Sequence, residues 1–484
     1  MIKVNKSPIA SRKEVQELQK HLMSEKMPEN CVLLGKAYGE TIGVHTDERR
    51  THPLNCNQLV IGRTGTGKTH SFLTSNLLNG ISSAIVFSPH TDFREYWSVF
   101  QRKNIRVHHI NLNLNQPQSE SRYNPFLHIN KNSKTDAGIL AEQIWRVWES
   151  KNVPEYDPFV EKTEKNLLEM LIYYIVNGNV SDNRRIFRTI IEALQDIADK
   201  LGKADAISFD SKILEKYDVT EDQSYCELFN IIKTKHLLPV VKLLQTDLRI
   251  FIRPEYEQIF IEESGSDNIN PSDFYCDQHY LFITSSDFVH PVKPNRIAGF
   301  LISLINKELL RYVDNSYREG SRQGCINQKS ENVTPWHIQF YTRHVQFYID
   351  ECHTVYMPDL IRNYTLCRKY NISWTLMTQD IRQLMNTAEM CDISDDEDWL
   401  VFLSDSSALL LTDFQISQSD RELVQHCCSN ERYKLFYEQL DTIANKMSGC
   451  EFKSGNEWIA LIDGYPPILC SRLNPEDWLR PDSC

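Results

Sequence analysis

The stretch "NQLVIGRTGTGKTH", Asn57 to His70, decides the reading of this chain. A short apolar run ends at Gly62, and the eight residues Gly62-Arg63-Thr64-Gly65-Thr66-Gly67-Lys68-Thr69 then satisfy GxxxxGK[ST]. The residues before the motif read as a buried β-strand and "KTHSFLTSNLL" reads as the helix behind it, the context that makes the spacing meaningful. Glycines let backbone N–H groups turn inward around phosphates, and the start of the helix adds a favourable dipole. On this reading Gly62, Arg63, Thr64, Gly65, Thr66, Gly67, Lys68, Thr69 and His70 cradle a nucleotide. Lys68 reaches the β and γ phosphates, and the Thr69 hydroxyl ligates Mg²⁺. A loop of this kind serves kinases, GTPases, transporters and DNA pumps alike, so the purpose of the nucleotide must come from elsewhere in the chain.

Working outward, "SSAIVFS" (Ser82 to Ser88) and "IRVHHINLN" (Ile105 to Asn113) read as further strands, with the helix "TDFREYWSVFQRK" between them. That alternation is the signature of an α/β fold with a predominantly parallel sheet. Upstream, a helix is expected from Ser11 to about Lys26, followed by short strands near Cys31 to Gly35 and Thr41 to Val44. From 133 to 273 helical periods dominate, in "AGILAEQIWRVWES", "DPFVEKTEKNLLEMLIYYIV", "NRRIFRTIIEALQDIADKLG" and "CELFNIIKTKHLLPVVKLLQTDLRIFI", which predicts an inserted all-α domain. The sheet resumes with "HYLFITSS", "VQFYIDE" and "ISWTLMTQ", and ends with "SALLLTD" and the hairpin-like "NEWIALIDGYPPILC". The glycine and two prolines of that hairpin suit a sheet edge. The expected organisation is therefore an N-terminal helical segment over 1–30, a nucleotide-binding domain split into 31–132 and 274–484, and the insert over 133–273.

Bulk composition narrows the classes. The chain has 484 residues, 41% of them hydrophobic, enough to bury more than one core. A net charge of −12 argues against a broadly basic, nucleic-acid-coating surface and confines any DNA path to a local channel formed on assembly. Thirteen cysteines, odd in number and never spaced CxxC, read as reduced thiols rather than disulfides or a zinc site. No signal-like apolar segment opens the chain, and no run of eighteen apolar residues occurs, so the expected location is cytoplasmic or peripheral at the inner face of the cell membrane.

The loop needs an acidic partner on a neighbouring strand, and "FYIDE" supplies it. Asp350 is expected to hold Mg²⁺, and Glu351 to act as general base on the attacking water. A base for water argues for a hydrolytic machine over a kinase or GTPase. Gln379, at the end of the next strand, is placed to sense the γ-phosphate, or alternatively meets solvent there. Arg368 lies near the end of the preceding helix, where it serves either as an arginine finger from a neighbouring subunit or simply complements the helix dipole.

This order of parts resembles the TraG/TraD family of type IV coupling proteins. The carriers are "NQLVIGRTGTGKTHSFLTSNLL", "RYNPF" (Arg122 to Phe126), "DPFVEKTEKNLLEMLIYYI" and above all "FYIDECHTVYMPDLIRNYTLCRKYNISWTLMTQDIRQL", which combines DE, Arg and Gln in the family's order. The resemblance implies a hexameric ring of RecA-like P-loop NTPase domains with ATP and Mg²⁺ bound between subunits. It makes Arg368 the trans finger and Gln379 the sensor. It further implies that relaxase-linked DNA, single-stranded, passes toward a type IV secretion channel, and that the all-α domain meets the relaxase. A soluble HerA/FtsK-type duplex pump and a non-pumping, ATP-dependent docking adaptor are the rival readings. Three departures stand out. The family's DPKGE is here "SPHTD" (Ser88 to Asp92), the glycine of its R-x-x-G-I turn is Asn371, and its N-terminal transmembrane helices have no counterpart, so a separate membrane anchor is one expectation. "DNRRIFR", "KLLQTDLRIFIRP" and "RNYTLCRKY" interleave basic with apolar residues and read either as phosphate contacts or as solvated helix faces.

Overall fold

A computed structural model describes residues 9–22, 31–45, 56–89, 91–113, 119–147, 158–177, 186–202, 237–261, 265–285, 296–319, 343–380, 383, 402, 406, 408–412, 456–462 and 466–479. The strands in chain order are β1 (Cys31–Ala37), β2 (Glu40–His45), β3 (Gln58–Ile61), β4 (Ser83–Ser88), β5 (Arg106–Asn111), β6 (Ser121–Arg122), β7 (Asp267–Asn268), β8 (His279–Thr284), β9 (Val345–Ile349), β10 (Ile372–Thr378), β11 (Ala408–Leu411), β12 (Glu457–Ile462) and β13 (Ile468–Ser471). Eleven of them form one sheet in the order β2-β1-β13-β12-β11-β3-β10-β9-β4-β8-β5. From β11 to β8 every neighbour is parallel. From β11 to β2 every neighbour is antiparallel. The fold is α/β, with a sheet whose central strands are parallel.

The parallel strands are buried on both faces, which explains why "QLVI" and "SAIVFS" are continuous apolar runs rather than alternating ones. On one face Val60, Ala84, Val86, Tyr280, Phe282, Tyr348, Met377 and Leu410 alternate with the residues of the other face and meet Phe72, Leu73, Leu77 and Leu78 of the helix behind the Gly62–Thr69 loop. That helix starts with a wide π turn, Lys68–Thr74, and continues as α-helix through Asn79. Gly80, at φ 73°, ends it in the left-handed conformation that glycine tolerates. Asn76 fixes the helix to the sheet: its side chain accepts from Leu33 N (2.7 Å) and donates to Leu33 O (3.1 Å).

The closing hairpin departs from expectation. β12 and β13 lie inside the sheet between β11 and β1, and Pro466 and Pro467 precede β13 rather than interrupt it. The carbonyl of Pro467 accepts from Ala10 N (2.8 Å), so the prolines sit where the ladder does not need their missing N–H. Gly35 explains how β1 and β13 pack closely: a Cβ there would run into Cys470 and the Trp458 indole, which donates to Leu34 O (2.8 Å).

The chain divides into two compact units. One comprises 1–108, 271–295 and 309–484; the other comprises 109–270 and 296–308. The second unit is thus wider than the helical stretch 133–273 at its front and gains a later segment, and an aromatic cluster explains why. Phe187 stacks on Phe251 at 4.0 Å and meets Phe260 and Phe126 edge-on, each at 5.0 Å. Phe126 comes from the "RYNPF" element and Phe300 from the later segment, 5.2 Å from Phe251. Helices Lys134–Arg146 and Pro158–Asn177 are tied by the Trp145 indole donating to the Glu164 carboxylate (2.9 Å), with Lys165 over the same ring. Helices Phe187–Gly202 and Leu237–Leu248 pack together beside them. The N-terminal helix runs over Arg12–Leu22, and the residues beyond it to 30 lie outside the described set. Among the described residues no helix is long and apolar enough to cross a membrane.

Candidate nucleotide site

The C-terminal ends of β3, β9 and β10 converge on the Gly62–Thr69 loop, because parallel strands deliver their last residues to one edge. Gly62 N donates to Thr378 O at the end of β10 (3.1 Å), and Asp350 N donates to Phe87 O at the end of β4 (2.9 Å). Gly65 (φ 81°) and Gly67 (φ 91°) take the left-handed backbone the cradle requires. Gly62 is demanded for a different reason: a Cβ there would collide with the Thr412 hydroxyl and lie 2.9 Å from Thr66 Oγ1. Thr66 and Thr412 hydroxyls are hydrogen-bonded to each other at 2.6 Å, so β11 braces the loop from the flank. Arg63, Thr64, Gly65 and His70 are exposed along its rim.

Lys68 is only 5% exposed. Its ammonium donates to Gly62 O and to Arg63 O (3.3 Å). Burial holds it below the ordinary lysine range, against the opposing pull of Glu351 and Asp350. Asp350 is buried as well, at 4% exposure. Burial pushes its carboxyl up, and the Thr69 hydroxyl and the Lys68 charge oppose that shift. Its Oδ2 accepts from Thr69 Oγ1 (2.7 Å) and Ser88 Oγ (3.2 Å), while Oδ1 is buried without a hydrogen-bond partner. A desolvated carboxylate with one oxygen unsatisfied, next to a threonine hydroxyl, is a donor set suited to a hard divalent cation such as Mg²⁺. Ser88 therefore has a definite place where "SPHTD" departs from DPKGE: it donates to the acid rather than adding a charge.

Glu351 follows at φ 51°, a left-handed conformation that non-glycine residues rarely adopt and that turns the chain sharply after β9. Its Oε2 accepts from Gln379 Nε2 at 3.1 Å. Gln379 in turn is held through its backbone, its N donating to Gln383 Oε1 (2.8 Å), which also accepts from Thr378 Oγ1 (2.8 Å). His353 lies with Nδ1 3.7 Å from Glu351 Oε2, its pKa lowered by burial. The structure thus brings together Gly62 to Thr69, Asp350, Glu351 and Gln379.

It does not bring Arg368 to this cluster. Arg368 lies in the 3₁₀ turn Cys367–Tyr370, before the start of β10, whereas Gln379 follows its end. Seven residues of strand, about 23 Å at about 3.3 Å each, separate the two. Asn371 takes φ 57°, the left-handed turn expected of the residue in the family's glycine position. Of the basic segments, Arg188 is committed to Glu257 (Nε to Oε1, 2.6 Å), which favours the solvated-face reading for that residue.

Sequence reasoning missed Thr412, Ser88, Gln383 and His353. Thr412 is a single hydroxyl at a strand end with no motif to mark it, and Ser88 was visible only as the first residue of "SPHTD". Gln383 was visible only as part of "QDIRQL", and His353 only by its closeness to "DE".

A family model described as "Type IV secretory system Conjugative DNA transfer" matches residues 13–263, more than half of the chain. A second, "TraM recognition site of TraD and TraG", matches residues 344–407, the segment carrying Asp350, Glu351, Arg368 and Gln379. No curated protein sequence gives a significant match. Among solved structures, the bacterial conjugative coupling protein TrwBdeltaN70 with sulphate is 13% identical with a TM-score of 0.55, covering 96% of this chain and 92% of that one. TrwB with ADP and Mg²⁺ is 14% identical with a TM-score of 0.53, over the same shares. TrwB with the ATP analogue ADPNP is 13% identical with a TM-score of 0.54, again over 96% and 92%. At such identities the likeness speaks for the fold, whereas the family models speak for descent, and on their span the chain belongs to the type IV secretory system conjugative DNA transfer family as a TraG/TraD-type coupling protein.

Proposed function

We propose that this coupling protein binds ATP with Mg²⁺, hydrolyses it, and uses the cycle to drive relaxase-linked, single-stranded DNA toward a type IV secretion channel. The observation that carries the reading is the cluster of five residues at one sheet edge: Lys68, the Thr69–Asp350 pair, and Glu351 bonded to Gln379. Lys68 is placed to donate to the β and γ phosphates, and Thr69 with Asp350 to hold Mg²⁺, which neutralises phosphate charge when bound. Glu351 accepts the proton of the attacking water as its oxygen bonds to the terminal phosphorus and the bond to the bridging oxygen breaks. Gln379 orients that carboxylate and exchanges its bond to Glu351 for one to the phosphate or the water.

Arg368 works in trans. Its place at the far end of β10 leaves a neighbouring copy as the site it can reach, which supports a homo-hexameric ring with the nucleotide between subunits. The solved structures of TrwB with ADP and Mg²⁺ and with ADPNP support ATP and Mg²⁺ as the ligands. The match to a TraM recognition region supports a relaxosome partner.

The direct test separates binding from turnover. Lys68→Ala should lose both nucleotide affinity and hydrolysis, while Glu351→Gln should lose hydrolysis and keep tight ATP binding. A Glu351→Gln variant with ordinary turnover refutes the assignment of the base.

A further inference from the structure

Arg472 follows β13 directly, and β13 runs in the same direction as β3, so its C-terminal end reaches the edge that carries the Gly62–Thr69 loop. The Arg472 side chain packs against Gly67, the residue before Lys68. A Cβ on Gly67 would lie 3.0 Å from Arg472 Nη1 and 3.4 Å from its Cδ. Yet this guanidinium has no carboxylate partner among the described residues, and its Nε is buried without a hydrogen bond. Burial alone pulls its pKa down. One donor of this half-buried guanidinium, Nε, is thus buried unpaired, which is costly unless something anionic meets the group.

We infer that Arg472 is a nucleotide-binding residue that acts in cis, donating to the phosphate nearest the nucleoside. The inference rests on the nucleotide reading of the loop and extends it to a residue outside every motif. The side of approach fixes which phosphate is met. Asp350 and Glu351 end β9, two places from β3 in one direction, and mark the cation and terminal-phosphate side. Arg472 ends β13, three places from β3 in the other direction, beside Gly67 and Ser71 at the start of the helix. The backbone N–H groups there cradle the α and β phosphates. Gly67 leaves room for the guanidinium to reach them, which gives the last glycine of the motif a second function besides its left-handed backbone.

The test measures affinities of the full chain for fluorescent ADP and ATP with Mg²⁺, in the wild type, Arg472→Ala, Arg472→Lys and Lys68→Ala. Losing a charge-assisted contact to phosphate should weaken ADP and ATP by the same factor, about tenfold or more, with lysine recovering part of it. The nucleotide-free melting temperature of Arg472→Ala should not fall, because the removed charge has no partner to lose. Wild-type affinities in Arg472→Ala overturn the inference, as does a loss confined to ATP, which would place the contact on the terminal phosphate. A fall in the nucleotide-free melting temperature matching the affinity loss also overturns it, since the role would then be structural. A wild-type chain that binds neither nucleotide overturns the reading of the loop itself, and a Lys68→Ala defect beside an intact Arg472→Ala overturns only the inference.

Discussion

Gly62→Ala is the sharpest perturbation of the loop, because the added methyl has a named obstacle. It would collide with Thr412 Oγ1 and come within 3.0 Å of Thr412 Cβ and 2.9 Å of Thr66 Oγ1. Relief requires Thr412 to swing away, breaking its hydroxyl bond to Thr66 (2.6 Å) and straining the backbone bond from Thr412 N to Ile61 O (2.8 Å). Overpacking of this kind costs about 1–3 kcal/mol, and one lost hydrogen bond adds about 1 kcal/mol. The substitution should therefore destabilise the chain by about 2–4 kcal/mol. Thr412→Ala removes the hydroxyl that meets the methyl, at a cost of about 1 kcal/mol on its own. In the Thr412→Ala background Gly62→Ala should then cost less, with a coupling of at least about 1 kcal/mol in a double-mutant cycle of chemical denaturation. Additive effects, within about 0.5 kcal/mol, would refute the claim that Thr412 braces this loop.

Three further outcomes are expected. Ser88→Ala removes one of two donors to Asp350 Oδ2 and should change the Mg²⁺ dependence of ATP hydrolysis by several-fold while leaving the fold intact; an unaltered Mg²⁺ titration contradicts the placement. His344 is buried between Ser82 and Ser373, and burial lowers its pKa to about 3. Its folded-state value lies below the unfolded value of about 6.5, so the penalty is absent above that pH and grows as pH falls toward 3, by about 1.4 kcal/mol per unit. At pH 5 wild type should have lost about 2 kcal/mol that His344→Gln does not lose, read from denaturant midpoints at pH 7.5 and 5. Arg368→Ala mixed with Lys68→Ala should recover part of the turnover that neither has alone, since a mixed ring pairs an intact loop with an intact finger; no recovery at any ratio contradicts action in trans.

The loop and its acidic partner were legible because each stands at a strand end in a fixed spacing, and the apolar runs of β3, β4 and β9 announced a doubly covered parallel sheet. What sequence left hidden was lateral order. The hairpin of β12 and β13 read as an edge because prolines and glycine weaken a strand, but they occupy the connection, and the strands themselves are paired on both sides. The second unit's boundaries were obscured for a similar reason. Phe126 and Phe300 join one aromatic cluster from distant segments, and side-chain contacts across such separations leave no period to read. Thr412 and Arg472 became visible only once the strand order put them beside the loop.

The central claim is that this site hydrolyses ATP to move DNA. Steady-state ATP hydrolysis by the purified chain, measured with single-stranded DNA, duplex DNA and no DNA, tests it most directly. The account predicts turnover that single-stranded DNA stimulates above the other two conditions and that Glu351→Gln abolishes. Stimulation by duplex DNA alone would point to a double-stranded pump, and tight ATP binding with no hydrolysis under any condition would leave a docking adaptor; either result contradicts the account.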